Sequence, residues 1–304
     1  MHSLAYFKLV TNIENEIRTY WGLATMREFG AKYLNTCEDL SVVEIGGTTM
    51  PYTYIDIPKK DMILQSKIFV DNIKSNTLLN LVTSLEVYFN DIFSRLVYLC
   101  PHLLSENTMQ WTTKEFVPEL EGNFRMWFAE EVTSKLIRNK QHKDIINFIS
   151  KTIKWDFSID DKITLWDKYT YVRNCIAHNS RRTSKDLCRV WPDKYSQVGI
   201  PLKINNSDIM YAMRLALNIA KKIEEPIMDK YIKDNDAKLL CREIYVREGI
   251  DDIGILKSII HRNLSHKAKT ETIQEALSFQ RKTNQQPTDE FNFDAIYQHL
   301  IISQ

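Results

Sequence analysis

A long apolar stripe between Leu78 and Leu99 is the feature that most restricts how this 304-residue chain can fold. Its apolar residues recur every three or four positions, which is the period of one face of an α-helix. The members of the stripe are Leu78, Leu81, Val82, Leu85, Phe89, Ile92, Leu96 and Leu99. Pro101 ends the helix, because proline has no N–H to continue it. A helix of this length needs other helices to cover its apolar face, so the stripe predicts a helical bundle.

The composition favours the same class of fold. The chain has only 8 glycines and 8 prolines, too few for the many turns of a β-sandwich or barrel. An apolar content of 44% is ordinary for a globular protein with a full core. The net charge of +1 gives no global field that would attract nucleic acid. Any nucleic-acid site must therefore be a local basic patch.

Pattern changes along the chain predict three segments. Residues 1–61 hold an amphipathic helix from 4 to about 36 and two β-prone runs on either side of Gly46-Gly47, which predict a small β-hairpin. The two runs are Ser41–Ile45 and Tyr52–Ile57. Residues 62–233 form a helical bundle. Residues 234–304 form a C-terminal extension of short helices, which we expect at residues 239–246, 253–260, 271–279 and 293–302. The expected fold is mainly α, with a small β-hairpin unit at the N-terminus.

No residue pattern indicates a metal, a cofactor or a membrane. The five cysteines are widely spaced, without a Cys-x-x-Cys or a zinc-type Cys/His cluster, and are typical of the reduced thiols of a cytoplasmic protein. No signal peptide begins the sequence, and no run of 18 apolar residues occurs. His142 stands in a charged run and is expected in solvent rather than as a ligand. We therefore expect no cofactor, no metal and no membrane association.

A polar trio ends a helix that is otherwise apolar. Leu165, Tyr169, Val172 and Ile176 mark one helical face, and Arg173, Asn174 and His178 follow at its end. On an ideal helix Asn174 and His178 lie one turn apart on the same face, with Arg173 about 100° round from Asn174. Arg173 and His178 could simply be cations that cap the negative end of the helix dipole. The alternative is that they form a site.

The best local basic patch follows the trio. From Arg173 to Arg189 the chain has five Lys or Arg residues against one acid, Asp186. Basic groups among Ser and Thr suit contacts with phosphate. The expected RNA-binding or supporting residues here are Ser180, Arg181, Arg182 and Lys185. The alternative is an ordinary solvated loop.

The trio resembles the Arg-(four to six residues)-His signature of the HEPN superfamily, the higher eukaryotes and prokaryotes nucleotide-binding domains of prokaryotic phage-defence and toxin type. Arg173 is followed by polar Asn174 and, after three more residues, by His178, at the end of a late helix. Ser84–Asp91 is similar to the first core helix of such proteins, which implies that Glu86 fixes the Arg173 guanidinium. Glu86 could equally be a surface carboxylate beside the stripe. The resemblance covers residues 62–233 and implies a HEPN-like helical bundle.

A second, shorter match to the signature, Arg262-Asn263-Leu264-Ser265-His266, has only three residues between Arg and His. It also lacks the long buried helix that precedes the first match. We interpret it as a coincidence.

A His and an Arg suit metal-independent cleavage of RNA, because RNA supplies its own 2′-hydroxyl nucleophile. His178 would act as acid and base, Arg173 would stabilise the phosphoryl oxygens, and Asn174 would be an orienting hydrogen-bonding group. The expected ends are a 2′,3′-cyclic phosphate and a 5′-hydroxyl. The resemblance also implies a homodimer with a composite active site, and a toxin or abortive-infection effector controlled by an antitoxin or a phage-derived trigger.

Two other functions remain open from the sequence. One is a non-catalytic HEPN-like module that binds RNA or a protein in a defence complex. The other is a nucleotide-transferring helical protein, which needs paired acidic metal ligands; Asp160-Asp161 is the candidate pair, although it is also typical of a helix start. Sensitivity to EDTA separates the transferase from the ribonuclease.

Overall fold

The computed structural model describes residues 1–47, 55–104, 124–138, 140–157 and 160–302. In these ranges the chain forms eleven α-helices and no β-strand, which confirms the predicted mainly α class. The helices are α1 Leu4–Thr36, α2 Val42–Gly46, α3 Lys59–Leu99, α4 Phe124–Ile137, α5 His142–Ile153, α6 Asp161–His178, α7 Lys185–Val190, α8 Asn206–Ile227, α9 Asn235–Glu248, α10 Ile253–Leu264 and α11 Thr270–Lys282. Short 3₁₀ turns cover Pro101–Leu104, Pro287–Asp289 and Tyr297–His299, and a π turn covers Met228–Ile232.

The apolar stripe forms the second half of α3, a helix of 41 residues. Leu81, Leu85, Phe89, Ile92 and Leu96 are all fully buried. The helix stops at Leu99, and Pro101 begins a 3₁₀ turn, as the loss of the proline N–H predicts. The long helix predicted from periodicity is confirmed.

The predicted β-hairpin is wrong at its first strand. Val42–Gly46 is a short α-helix, with Ser41 as its N-cap. The Ser41 hydroxyl accepts the Glu44 N–H at 3.3 Å, and the Glu44 carboxylate accepts the Ser41 N–H at 2.7 Å. This capping box satisfies two N–H groups at the helix start and outweighs the β-propensity of Val42 and Val43. The first half of the second predicted strand, Tyr52–Ile57, lies outside the described residues. In its described half, Ile57 O accepts the Val42 N–H at 2.9 Å.

The chain divides into two compact units. The first unit comprises Met1–Asn12, Thr83–Asp167 and Leu215–Gln304, and the second comprises Ile13–Val82 and Lys168–Arg214. Both units are built from segments that are distant in sequence. The predicted segment boundaries near residues 61 and 233 remain predictions.

The core of the first unit includes the C-terminal helices α9, α10 and α11. Their buried faces meet around Leu240, Ile244, Ile259 and Ile273, and Leu4 of α1 joins the same cluster. The three helices predicted over this part of the sequence are confirmed. The fourth, over residues 293–302, is a 3₁₀ turn at Tyr297–His299 instead.

A buried ionic network crosses the same unit. Arg95 of α3 donates from Nε to Asp236 Oδ1 at 2.7 Å and lies 3.3 Å from Glu290. Glu290 also binds Arg242 of α9 at 2.6 Å. Arg242 Nε donates to the Gln280 side chain of α11 at 2.8 Å. The network thus ties α3, α9, α11 and the segment that follows α11.

None of the helices that the structure describes combines the length and the apolar character needed to cross a bilayer.

Candidate active site

Helix α6 carries the candidate motif on its last turns. The Asp160 carboxylate caps the start of the helix by accepting the N–H groups of Lys162 at 3.0 Å and Ile163 at 3.1 Å. Burial acts to raise the pKa of Asp160, but these bonds and the ammonium of Lys222 outweigh it and lower the pKa. The carboxylate is therefore engaged in holding α6, as the helix-start interpretation of Asp160-Asp161 predicts.

The apolar face of α6 fixes the direction of the motif side chains. Tyr169, Val172, Cys175 and Ile176 of the last turns are buried, at the spacings of three and four residues expected for one helical face. Nearer the start of α6, Trp166 is buried, whereas Leu165, which was predicted on the apolar face, is half-buried. The opposite face of the last turns is therefore left for polar groups.

The trio lies on the accessible side of these last turns. Arg173 is half-buried, whereas Asn174 and His178 are exposed. Arg173 Nη1 donates to Asn174 Oδ1 at 3.2 Å, so the amide holds one end of the guanidinium. His178 follows Asn174 by one turn on the same helical face, and the Asn174 amide links the Arg173 guanidinium to that face.

The chain turns sharply just after His178. Ser180 and Arg181 both have positive φ, at 49° and 58°, in the left-handed region that L-residues rarely occupy. The N–H groups of Asn179 and Arg181 both donate to Cys175 O at 3.1 Å, which closes the helix end. This conformation costs roughly 1–2 kcal/mol per residue, so other contacts must hold it.

Side chains distant in sequence hold the turn. The Arg181 guanidinium donates to the amide oxygens of Asn72 and Asn76, which lie one turn apart on α3. Arg182 Nη1 donates to Gly199 O at 2.7 Å, and a single β-bridge joins Arg182 to Pro201. Asn72 and Asn76 are supporting residues that the sequence did not indicate, because they precede Arg181 by more than 100 positions.

The predicted basic patch thus separates into two kinds of residue. Arg181 is half-buried and positions the turn, whereas Ser180, Arg182 and Lys185 are exposed. Lys185 begins α7, whose N-cap Ser184 accepts the Leu187 N–H at 3.1 Å. Phosphate can reach the exposed members of the patch, of which Arg182 also holds the turn through Gly199 O.

An aromatic cluster lies in the same unit as the motif. Trp191 follows α7 and packs edge-on against Tyr169 and Tyr195. The ammonium of Lys194 lies 4.7 Å from the Trp191 ring centroid. Burial, reinforced by the Asp208 carboxylate, raises the pKa of both Tyr169 and Tyr195 far above its usual value. The two phenols therefore stay protonated and serve in packing.

Glu86 lies in the first unit, next to His142. His142 is only 2% exposed, so its expected place in solvent is wrong. Trp166 Nε1 donates to His142 Nδ1 at 2.6 Å, which leaves the ring proton on Nε2, 3.3 Å from Glu86 Oε1. The burial follows a stripe of His142, Ile145, Ile146 and Ile149 on α5, a signal that is present in the sequence. The role of Glu86 beside Arg173 remains a prediction.

The second Arg-x-x-x-His segment has structural partners. Arg262 donates to the Ser258 hydroxyl at 2.8 Å on its own helix, α10. His266 Nε2 lies 3.0 Å from Asp234 Oδ1. The Asn263 side chain bonds the backbone of Ile259 and Ile301. These contacts join α10 to neighbouring segments of the first unit, which agrees with a coincidental match.

Among the described residues, no three His, Cys, Asp or Glu side chains are grouped as metal ligands. All five cysteines are free thiols. Comparison with protein-family models, with curated proteins and with solved structures finds no match to this chain. The relation to the HEPN superfamily is therefore a resemblance of the motif and of its helical setting.

Proposed function

We propose that this protein is a metal-independent endoribonuclease of HEPN type. The observation that carries the proposal is the end of α6, where Asn174 and His178 are exposed on one face and Asn174 binds the guanidinium of the half-buried Arg173. A guanidinium held in place can stabilise charge on a phosphoryl group, and an exposed imidazole can transfer protons. Asn174 is the positioning residue of the trio.

The proposed reaction is an internal transfer within RNA. The 2′-oxygen attacks the adjacent phosphorus while its proton passes to a base, and the bond from phosphorus to the 5′-oxygen breaks as that oxygen receives a proton. His178 carries out proton transfer, and Arg173 holds the non-bridging oxygens as their charge increases. The products are a 2′,3′-cyclic phosphate and a 5′-hydroxyl. DNA lacks the 2′-hydroxyl and is not cleaved.

The loop after His178 supplies the contacts with the RNA backbone. Arg182 and Lys185 offer exposed cations, and Ser180 offers an exposed hydroxyl. Arg181, held by Asn72 and Asn76, keeps this loop beside the end of α6. Binding and chemistry would thus use adjacent parts of the second unit.

In this proposal the enzyme is a symmetric homodimer in which both motifs face one groove. Its two imidazoles serve the two proton transfers. It acts in the cytoplasm, as its cysteine usage predicts. Its expected biological role is a toxin or abortive-infection effector against phage, controlled by an antitoxin or by a phage-derived trigger. The motif resemblance supports these statements.

The test is cleavage of end-labelled RNA by the purified full chain in EDTA. We expect the parent to produce cyclic-phosphate ends and His178→Ala to be at least 100-fold slower, the usual effect of losing general acid–base catalysis. His261→Ala is the matched control, because His261 is an exposed histidine on α10. Equal cleavage by parent and His178→Ala would overturn the assignment, as would activity that EDTA abolishes.

The second candidate is a non-catalytic RNA-binding module. The exposed cations Arg182 and Lys185 favour it, since they do not depend on His178 for contact with phosphate. In that case RNA binds but stays intact, and Arg182→Ala with Lys185→Ala weakens binding while His178→Ala does not.

A further inference from the structure

An apolar groove lies in the second unit between α1, α3 and the segment that precedes α3. Its volume is about 830 Å³, which falls within the ~300–1,000 Å³ of typical small-molecule sites. Four large apolar side chains in its lining expose between 46% and 71% of their surface: Met26, Ile55, Ile68 and Phe69. Covering such surface provides free energy for binding, so the groove favours a ligand that is itself largely apolar.

Small residues widen the groove on the side of α1. Gly30 and Ala31 both line it, and a side chain added at Gly30 would meet no atom within 4 Å. The space in front of Gly30 is therefore open. A chain of methylene groups can approach the α1 backbone closely at this position, because no side chain stands in its way.

Among the described residues that line the groove, Arg27 is the only one that carries a charge. Its side chain is 16% exposed. Arg27 Nε donates to the Ser66 hydroxyl at 3.2 Å, and this hydroxyl donates in turn to Ile63 O at 2.7 Å. The guanidinium on α1 is thus positioned by the backbone of α3.

The carboxylate that Arg27 now binds can be exchanged for another. Arg27 Nη1 lies 3.2 Å from both carboxylate oxygens of Glu28, whose side chain is 61% exposed. An ion pair with so exposed a partner contributes little, because water screens it. A ligand carboxylate that reaches the guanidinium from the apolar groove is screened less and can replace Glu28. The amide oxygen of Asn72, which also lines the groove, is already engaged with the Arg181 guanidinium.

We propose that this groove binds a fatty acid, with the acyl chain along Met26, Gly30 and Phe69 and the carboxylate on Arg27. A long apolar chain with one anionic end matches an apolar lining with one cation. A nucleotide or a sugar would bury several polar groups here without enough hydrogen-bonding partners. The site is separate from the α6 motif, so this inference does not depend on the proposed function.

Calorimetric titration of the full chain with decanoate and dodecanoate, below their micelle concentrations, tests the acyl part of the site. Dodecanoate has two more methylene groups and should bind about fifteenfold more tightly. Gly30→Leu fills the groove without a clash and should also favour the helix, yet it should weaken dodecanoate binding by about tenfold or more. Gly22→Leu is the matched control, since Gly22 lies on the same helix in open space but does not line the groove. No binding by the parent, or equal binding by the two glycine variants, would overturn the proposal.

Dodecanol, which has the same chain without the charge, tests the carboxylate contact. Arg27→Gln should weaken dodecanoate binding by about tenfold, because a charged hydrogen bond is lost, and should leave dodecanol binding unchanged. Arg18→Gln is the control, at an exposed cation of the same helix that also pairs with a glutamate, and should affect neither ligand. If Arg27→Gln changed both affinities equally, or neither, the carboxylate would not lie on Arg27.

A second copy of the chain is the competing occupant of the groove. Sedimentation velocity of the parent and of Gly30→Leu, with and without dodecanoate, separates the two cases. Dodecanoate binding at an unchanged protein mass supports the fatty-acid site. Failure to bind dodecanoate, together with a dimer that Gly30→Leu dissociates, would identify the groove as a protein interface and would contradict the inference.

Discussion

Glu224 of α8 places its carboxyl group beside the start of α1, where it is buried among hydroxyl and N–H groups. It is 1% exposed and accepts the Ser3 N–H and, at 3.0 Å, the Ser3 hydroxyl. The Tyr88 hydroxyl lies 3.0 Å from the carboxyl and 3.1 Å from Ala220 O, but it has only one proton to donate. If Glu224 is protonated, it can donate to Tyr88, which then donates to Ala220. Burial accordingly raises the pKa of Glu224 to about 7, despite the bonds from Ser3 and Tyr88.

This pKa predicts a pH-dependent contribution to stability. A carboxyl whose folded pKa is raised to about 7 from 4.5 stabilises the fold fully below pH 4.5, and the contribution is lost as pH rises to 7. Glu224→Gln keeps an uncharged group there, so its free energy of unfolding relative to the parent should increase by on the order of 3 kcal/mol between pH 4.5 and pH 8. Urea unfolding of both proteins at the two pH values measures the change. Glu225→Gln, at the exposed neighbouring position, should show no such trend.

Single residues also show which features a local sequence pattern can predict and which it cannot. His142 is buried in phase with Ile145, Ile146 and Ile149, so helical periodicity could have predicted it. The contact of Arg181 with Asn72 joins residues 109 positions apart, and no local pattern encodes it. The trio of α6 was predicted because its members lie within six consecutive residues of one helix, with Asn174 and His178 one turn apart. Its supports were not, because they come from another helix.

At the scale of elements, the Arg95–Asp236–Glu290–Arg242 network links α3 and α9 through buried ion pairs. Glu290 binds two guanidinium groups, and removing it leaves both arginines buried without that partner. Glu290→Ala should therefore lower the free energy of unfolding by about 3 kcal/mol. Denaturant unfolding at pH 7 measures this loss.

Glu275 supplies the control for Glu290. It pairs with Lys238 at 2.6 Å, but its side chain is 65% exposed. Glu275→Ala should cost less than about 1 kcal/mol, because water already screens the pair. Equal losses for the two variants would mean that the buried network adds no more than a surface pair.

The elements themselves were largely predictable, because long helices with one buried face leave a clear apolar period. Both ends of α1 and the C-terminal end of α3 fall within a few residues of the predicted positions. Helix α2 was missed because Val42 and Val43 favour strands, although the Ser41-x-x-Glu44 spacing of a capping box was present. Periodicity did not reveal that each compact unit combines distant segments, since it carries no information on which faces meet.

For the whole molecule, the net charge of +1 means that attraction to RNA depends on local cations. With about three phosphate contacts, the logarithm of the affinity for single-stranded RNA should fall with the logarithm of salt concentration at a slope of about −2. Binding by His178→Ala, which leaves the RNA intact, measures this slope. Adding Arg182→Ala should make it shallower by about 0.7, whereas Lys282→Ala, at an exposed site on α11, should not change it. A slope near zero would contradict a phosphate-binding loop.

The left-handed pair at Ser180 and Arg181 also limits how this protein can evolve. Glycine or asparagine enters such a conformation easily, whereas valine or isoleucine does not. Only a small set of residue types is therefore tolerated at position 180, although the side chain is exposed. Position 181 is limited further by the two asparagines that bind its guanidinium. Related proteins whose other surface residues differ widely should therefore keep a short recognisable motif directly after the histidine.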